Sequence, residues 1–165
     1  TYEKNDLTYD TYGKGKLESR LAYHGDYRAY FDFIADSLKR YSSQRDKQKG
    51  EAFVHGFTLA MTSQNRFYRP ISELDNDGGY ADIFLCPLCD IYKDMVDSYI
   101  IELKYCKSST TDEQVKQLFK DASAQICRYA DSDIVRESVK TTTLHKLVVI
   151  YRGAEMVACD EANEQ

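Results

Sequence analysis

The chain has 165 residues, of which 42% are hydrophobic and 30% are charged, and this balance fits one compact domain. Its apolar runs are far shorter than a membrane span, and no charged-then-apolar signal segment opens the sequence. We therefore expect an intracellular, cytoplasmic protein without a membrane partner. The net charge of −5 argues against a broad basic surface that binds nucleic acid regardless of its sequence.

The first part of the chain predicts helices. Residues 1–16 are polar, rich in tyrosine and broken by glycine, which indicates irregular structure. From Leu17 to about Ser43, apolar residues recur in steps of three and four, which predicts one amphipathic helix. A second helix is predicted from Glu51 to Ser63. Its predicted buried face consists of Phe53, Phe57 and Met61.

Three strands are predicted next. The first two, at residues 67–74 and Tyr80–Cys86, are joined by a turn at Asp75–Gly79 that is rich in residues tolerating positive φ. After a loop, the third strand runs from Ser98 to Cys106.

The rest of the chain predicts two helices and two strands. Thr111 is a plausible N-cap with Gln114 three residues later, so a helix should run to about Ala130. A short helix, a buried-type strand and a last short strand follow at Asp133–Val139, Leu144–Tyr151 and Glu155–Cys159. The element order predicts an α/β domain, a mixed sheet with helices on its faces.

The third strand aims an acid and a base at one spot. Residues i and i+2 of a strand face the same side, so Glu102 and Lys104 of YIIELKYCK project together. Asp82 interrupts the second strand and can meet Glu102 across a hairpin. Two converging carboxylates repel each other unless a cation lies between them, and Mg²⁺ is often held by one or two carboxylates. We predict a Mg²⁺ (or Mn²⁺) site at Asp82, Glu102 and the main-chain carbonyl of Leu103, with Lys104 holding the attacking water.

Two simpler interpretations stay open. Asp82, Glu102 and Lys104 could form a buried salt-bridge cluster without a metal. Cys86 and Cys89 form a CxxC, but no second pair accompanies it, so buried small cysteines are the ordinary interpretation and a zinc or thiol function is the alternative.

Taken in order, GGYADIFL, YIIELKYCK and AQICRY resemble the PD-(D/E)xK nuclease superfamily, and more narrowly the nuclease-like domain found C-terminal to an AAA-type ATPase-like domain in many bacterial proteins. The resemblance covers roughly residues 47–160. It implies a restriction-endonuclease-like mixed sheet of α-β-β-β-α-β order at residues 47–165, preceded by an N-terminal helical extension at residues 1–46.

This resemblance implies metal-dependent hydrolysis of phosphodiester bonds in nucleic acid, in DNA more than in RNA, leaving a 5′-phosphate. The partners would be nucleic acid and an ATPase-like domain of the same full-length protein. The alternative function is a non-catalytic regulatory or protein-interaction domain of that larger protein, which the acidic composition favours. The oligomeric state is left open.

Individual residues acquire roles by this resemblance. Asp82 corresponds to the first acid of the motif, Glu102 to the second acid and Lys104 to its lysine. Gln125 and Tyr129 match a QxxxY motif on the helix after the lysine strand, and Gln125 joins the expected catalytic set. Because they are four residues apart, Gln125 and Tyr129 share a helix face. An ordinary polar position at the helix edge is the alternative for Gln125, and Tyr129 is interpreted as core packing with a hydrogen-bonded hydroxyl.

Four further positions are of interest. Glu51 resembles the acid on the first core helix of the family and is a possible further metal ligand, although an acid also suits a first helical turn. Glu73 resembles another acid of the narrower family, with a surface position as the alternative. His55 lies four residues after Glu51 and is interpreted as a structural histidine. Ala81 replaces the proline of the motif, and the cysteines lack the arrangement that an iron–sulfur cluster needs.

Overall fold

The computed structural model describes residues 2–42, 50–76 and 79–162, and the side chains of residues 13–42, 50–72 and 83–162. Five helices and five strands occur in this part of the chain. In chain order they are α1 (Tyr2–His24), α2 (Tyr27–Tyr41), α3 (Glu51–Ser63), β1 (Tyr68–Asn76), β2 (Gly79–Pro87), β3 (Asp97–Cys106), α4 (Asp112–Ala130), α5 (Asp133–Ser138), β4 (Thr143–Arg152) and β5 (Glu155–Glu161). None of these helices combines the length and the apolar character needed to cross a membrane.

The five strands form one mixed sheet in the order β1-β2-β3-β4-β5. Strands β3 and β4 are parallel, and every other neighbouring pair is antiparallel. The parallel pair needs a crossover, which α4 and α5 supply. This confirms the predicted fold class, a mixed α/β domain consistent with a restriction-endonuclease-like core.

Helices cover both faces of the sheet, and alternate residues of β3 serve the two cores. Ile101 packs on one face with residues of α1, α2 and α3, whereas Ile100 packs on the other face with α4. Both isoleucines are fully buried, and each contributes about 1.5–3 kcal/mol through burial of its side chain. The central strands are therefore rigid supports for the polar residues that follow at the end of β3.

Helices α1 and α2 correct the prediction for the N-terminal part. Residues 1–16 were predicted irregular, but α1 begins at Tyr2. The single helix predicted from Leu17 to Ser43 is instead interrupted at Gly25 and Asp26. Gly25 has a φ of +63°, and the Asp26 N–H donates to the carbonyl of Arg20, which ends α1. The Asp26 carboxylate then accepts from the Ala29 N–H and caps α2.

These helices also contribute to the main core. Leu21 of α1 and Phe31 and Leu38 of α2 are almost completely buried against the sheet. The proposed division at residues 46 and 47 falls outside the described residues and stays a prediction.

The buried face of α3 lies one residue away from its predicted position. The predicted face of Phe53, Phe57 and Met61 is only partly buried. The buried residues are Val54, Thr58 and Thr62. Each threonine hydroxyl donates to a carbonyl one turn earlier, at 2.8 Å for Thr58 to Val54, so threonine tolerates burial here.

The predicted strands and the helices after β1 are confirmed, with boundaries that differ by a few residues at most. The capping box at Thr111 is also confirmed, because its hydroxyl accepts from the Gln114 N–H at 3.3 Å and the Gln114 side chain accepts from the Thr111 N–H at 2.9 Å. Residues 77 and 78 of the predicted turn lie outside the described residues.

Candidate active site

The acid and the base of β3 meet as predicted. Glu102 is only 1% exposed, and its Oε1 lies 2.6 Å from Nζ of Lys104, whose side chain is 25% exposed. They follow Ile100 at steps of two and so lie on the face that α4 covers. The strand thus holds a buried carboxylate beside an ammonium group that reaches solvent.

Helix α4 extends this pair into a hydrogen-bonded chain. Lys104 Nζ donates to Oε1 of Gln125 at 3.4 Å, and Nε2 of Gln125 donates to the hydroxyl of Tyr129 at 2.7 Å. Tyr129 is buried in the core beneath α4. The QxxxY residues therefore lie against the lysine, and Tyr129 fixes the orientation of the Gln125 amide.

Asp82 is placed by its backbone. Ile83 of β2 pairs with Ile101 of β3 in antiparallel register, so position 82 precedes this pair and position 102 follows it. The side chains of Asp82 and Glu73 lie outside the described residues. The backbone of Asp82 belongs to β2, next to the strand that carries Glu102.

A cleft of about 440 Å³ opens beside Lys104. It lies between the N-terminal turns of α3 and the last residues of β3. The residues that line it are Glu51, Ala52, Val54, His55, Leu103, Lys104 and Tyr105. Glu51 is exposed at its rim. Lys104 of the ion pair is among its lining residues.

Two residues of this cleft were not predicted as functional. His55 was interpreted as a structural histidine, but the structure places it in the same cleft as Lys104, with its Nε2 3.5 Å from the hydroxyl of Ser72. Its spacing of four residues from Glu51, which places both on one face of α3, was the sequence signal that could have identified it. Tyr105 carried no signal among fourteen tyrosines, because its position depends on how α3 meets the end of β3.

A second charged cluster lies at the start of β3. Nε2 of His145 is 2.7 Å from Oδ1 of Asp97, and its Nδ1 is 2.6 Å from Oε1 of Glu161. The imidazole stacks on the ring of Tyr99, with ring centroids 5.0 Å apart. Both ring nitrogens are engaged by carboxylates, which is the arrangement of a structural ion pair. The sequence separation of these residues hid the cluster.

Cys86 and Cys89 are free thiols. Cys86 packs in the core beneath α4. Burial, followed by the nearby Asp90, raises the pKa of the Cys89 thiol, which disfavours the reactive thiolate. Among the side chains that the structure describes, no three His, Cys, Asp or Glu residues are grouped so as to hold a metal. The burial of Cys86 fits its ordinary interpretation as a small apolar residue.

The donor atoms at the end of β3 suit a divalent cation. Glu102 supplies a carboxylate, the neighbouring Asp82 is a second acid in sequence, and Leu103 adds a main-chain carbonyl. Hard cations such as Mg²⁺ take oxygen ligands of this type. The same oxygen set and the adjacent ammonium group would also suit a phosphate ester with its cation.

The family comparison agrees with this geometry. A family model described as the PD-(D/E)XK nuclease superfamily matches residues 49–161, which include β1 to β5 and the cleft. The chain belongs to the PD-(D/E)XK nuclease superfamily. No curated protein matches the chain, and no solved structure does either. Membership suggests nuclease activity, and nucleases of this superfamily generally use divalent metals.

Proposed function

We propose that this domain hydrolyses phosphodiester bonds of nucleic acid, in DNA more than in RNA, with the help of Mg²⁺ or Mn²⁺. The observation that carries the proposal is the contact of 2.6 Å between buried Glu102 and cleft-lining Lys104. A fully structural ion pair has no need of a cleft beside its base, whereas a catalytic lysine must be reached by water and by phosphate.

Asp82, Glu102 and the Leu103 carbonyl are the proposed metal ligands, with Glu51 at the cleft rim as a further candidate. When bound, a divalent cation polarises a phosphoryl oxygen and lowers the pKa of water. The buried carboxylate of Glu102 offers a fixed negative charge that binds such a cation more strongly than an exposed one would.

Lys104 is the proposed group that orients the attacking water. Its Nζ contacts Glu102 and Gln125, and its side chain is 25% exposed, so water can approach the ammonium group. A hydrogen bond from Lys104 would position this water for attack on phosphorus and offset the charge that develops on the phosphoryl oxygens. The 3′-oxygen then leaves, and the product keeps a 5′-phosphate.

Gln125 is the proposed positioning residue for Lys104. Its amide is oriented by the Tyr129 hydroxyl at 2.7 Å, so its oxygen faces the lysine. This arrangement restricts the flexible lysine chain to the orientations that also reach Glu102. A lysine held in this way loses less conformational entropy when substrate binds.

A second candidate is a non-catalytic domain that regulates or binds an ATPase-like domain of the same full-length protein. The direct ion pair between Glu102 and Lys104 and the net charge of −5 favour this alternative, because neither needs a phosphate ligand. Metal binding at Glu102 separates the two candidates, since only the nuclease requires it.

The test is cleavage of labelled single- and double-stranded DNA and RNA with Mg²⁺ or Mn²⁺, by the parent and by Lys104→Ala. We expect the variant to lose about 10²- to 10³-fold in cleavage rate. Lys107→Ala is the matched control, because Lys107 is exposed just beyond β3. Equal cleavage by Lys104→Ala and the parent, or no cleavage by either, would contradict the catalytic proposal and favour the interaction domain.

A further inference from the structure

The cleft beside Lys104 has the character of a site for a flat, partly apolar ligand. Its walls combine apolar side chains of α3 and β3 with the aromatic ring of Tyr105 and the imidazole of His55. Its volume of about 440 Å³ lies within the roughly 300–1,000 Å³ of small-ligand pockets. A pocket of this size accommodates a single nucleotide unit and excludes a duplex.

Tyr105 is held in place as one wall of this cleft. Its main chain pairs with Tyr151 in the parallel ladder between β3 and β4. Its ring lies against Gly50, where an added Cβ would approach Cε1 to 3.3 Å. Gly50 has a φ of +61°, so its conformation and its contact both favour glycine. A ring that is already fixed loses little entropy when a ligand stacks on it.

We infer that this cleft binds one unpaired nucleobase, stacked on Tyr105, and that the nucleic acid continues from there toward the active site at the end of β3. A base within a duplex has both faces stacked and its edge paired, so it cannot enter such a cleft without being extruded. Aromatic side chains are the usual binding surface for unpaired bases. The substrate is therefore single-stranded, or it has a frayed or unpaired end.

The charge of the chain agrees with this substrate class. Proteins that follow a duplex backbone do so with rows of basic residues, and the net charge of −5 offers little support for that mode. Stacking on one tyrosine gives affinity without a large basic surface. His55 on the cleft wall adds a polar group within reach of a base edge.

This inference rests on the proposed function but can be tested apart from catalysis. A short labelled single-stranded DNA and the matching duplex are titrated with the protein in EDTA, where no cleavage occurs. We expect single strands to bind more tightly, and Tyr105→Leu to weaken their binding by about 5- to 150-fold. Tyr105→Phe, which keeps the ring, should bind like the parent.

Tyr41→Leu is the matched control, because Tyr41 is 65% exposed and does not line the cleft. A second measurement uses a single strand with a terminal 2-aminopurine, whose fluorescence the parent should quench by stacking and Tyr105→Leu should not. This signal is read alongside circular dichroism, which shows that the variant is folded. An RNA strand of the same sequence shows whether binding depends on the sugar of the nucleic acid.

The outcomes separate the two proposals. Binding of single strands that depends on the Tyr105 ring, without any cleavage when metal is added, supports the inference and contradicts the nuclease. Cleavage that depends on Lys104, with equal binding by Tyr105→Leu and the parent, supports the nuclease and overturns the inference. Loss of duplex and single-strand binding to the same extent in Tyr105→Leu, or no binding by the parent, also overturns it.

Discussion

The two ends of β3 carry buried carboxylates with opposite surroundings. At the start of the strand, Asp97 is bound to His145, which Glu161 holds from its other side. At the end of the strand, Glu102 is bound to Lys104, a partly exposed residue that is also among those lining the cleft beside α3. Asp97 and Glu102 are 5% and 1% exposed, so burial alone does not distinguish them.

The difference lies in the cationic partner. His145 has two ring nitrogens, and both already face carboxylates, while its ring is stacked on Tyr99. No ring nitrogen is then available to a substrate. Lys104 has three donors on a flexible side chain that is 25% exposed. We expect the pair at His145 to stabilise the fold, and the partly exposed pair at Lys104 to take part in chemistry. Substitutions at each end of β3 test this expectation.

The largest effect is expected from Glu102→Gln. Loss of a proposed metal-binding carboxylate should lower cleavage by at least about 100-fold, since even residues that only support metal ligands cost 10- to 100-fold. The fold should tolerate the change, because Lys104 can extend to solvent. The measurement is the cleavage rate at saturating Mn²⁺, together with the melting temperature.

Glu113→Gln is its control, because Glu113 is an exposed acid in the first turn of α4. Isothermal titration with Mn²⁺ provides a second readout, and Glu102→Gln should weaken the binding of the ion. Unchanged Mn²⁺ affinity in Glu102→Gln would show that Glu102 is only the partner of a salt bridge.

Asp97→Asn should give the reverse result. It removes the charge from a hydrogen bond to a partly buried imidazole, which should cost about 1.5–3 kcal/mol in the free energy of unfolding. Cleavage below the melting temperature should remain at the parent rate, since Asp97 lies at the other end of β3. Urea denaturation measures the free energy of unfolding.

Asp90→Asn, at an exposed acid in the loop before β3, is the stability control and should change little. If Asp97→Asn lowered cleavage as strongly as Glu102→Gln while leaving stability intact, the functional distinction between the two ends of the strand would be lost.

The end of β3 was predictable from sequence because its signals are local. Residues two apart in a strand point to the same face, which places Glu102 and Lys104 together on β3. Residues four apart in a helix lie on one face, which places Gln125 and Tyr129 together on α4. The capping box at Thr111 is likewise contained within four residues. Local patterns thus predicted the element order from α3 onward, the sheet strands and the acid–base pair.

The rest depends on contacts between distant segments. The cluster of Asp97, His145 and Glu161 joins three strands whose register no local pattern determines. The cleft position of Tyr105 depends on the approach of α3, which begins at Gly50. The break between α1 and α2 coincides with Gly25 followed by Asp26, a local signal that the prediction of one continuous helix did not use.

Two glycines sharpen the comparison, because one adjoins each end of β3. A Cβ at Gly25 would lie 3.7 Å from Asp97, an ordinary contact, whereas a Cβ at Gly50 would lie 3.3 Å from the Tyr105 ring. Gly25→Ala should therefore cost only the left-handed backbone strain of about 1–2 kcal/mol. Gly50→Ala should cost about 1–3 kcal/mol and displace Tyr105.

Thermal unfolding measures the stability of both variants, and binding of single-stranded DNA in EDTA should fall only in Gly50→Ala. Gly56→Ala is the control, because Gly56 is exposed within α3 and its Cβ would meet nothing within 4 Å. It should stabilise the protein by about 0.5–1 kcal/mol. Normal oligonucleotide binding by Gly50→Ala would show that the contact with Tyr105 does not shape the cleft.

The smallest expected effect is the pH dependence of stability at the cluster of Asp97, His145 and Glu161. Burial by itself lowers the pKa of His145, but the hydrogen bonds to Asp97 and Glu161 outweigh it, so the pKa lies above its usual value. Because the folded state binds the proton more tightly, its stabilisation is complete below the unfolded pKa of about 6.5 and is lost as pH rises through the folded pKa. One group changes stability by at most about 1.4 kcal/mol per pH unit.

Urea denaturation of the parent and of His145→Gln at pH values below and above about 6.5 isolates the contribution of His145. Both proteins share the other ionisable groups around the cluster, which are Asp26, Tyr27, Asp97, Tyr99 and Glu161. The difference in unfolding free energy between the two should shrink as pH rises above 6.5, as the parent releases the proton. The pH profile of cleavage should be the same for both, because His145 is remote from Lys104. A constant difference in stability would mean that His145 acts through its shape and not through its charge, whereas a shifted cleavage profile would couple the two ends of the strand.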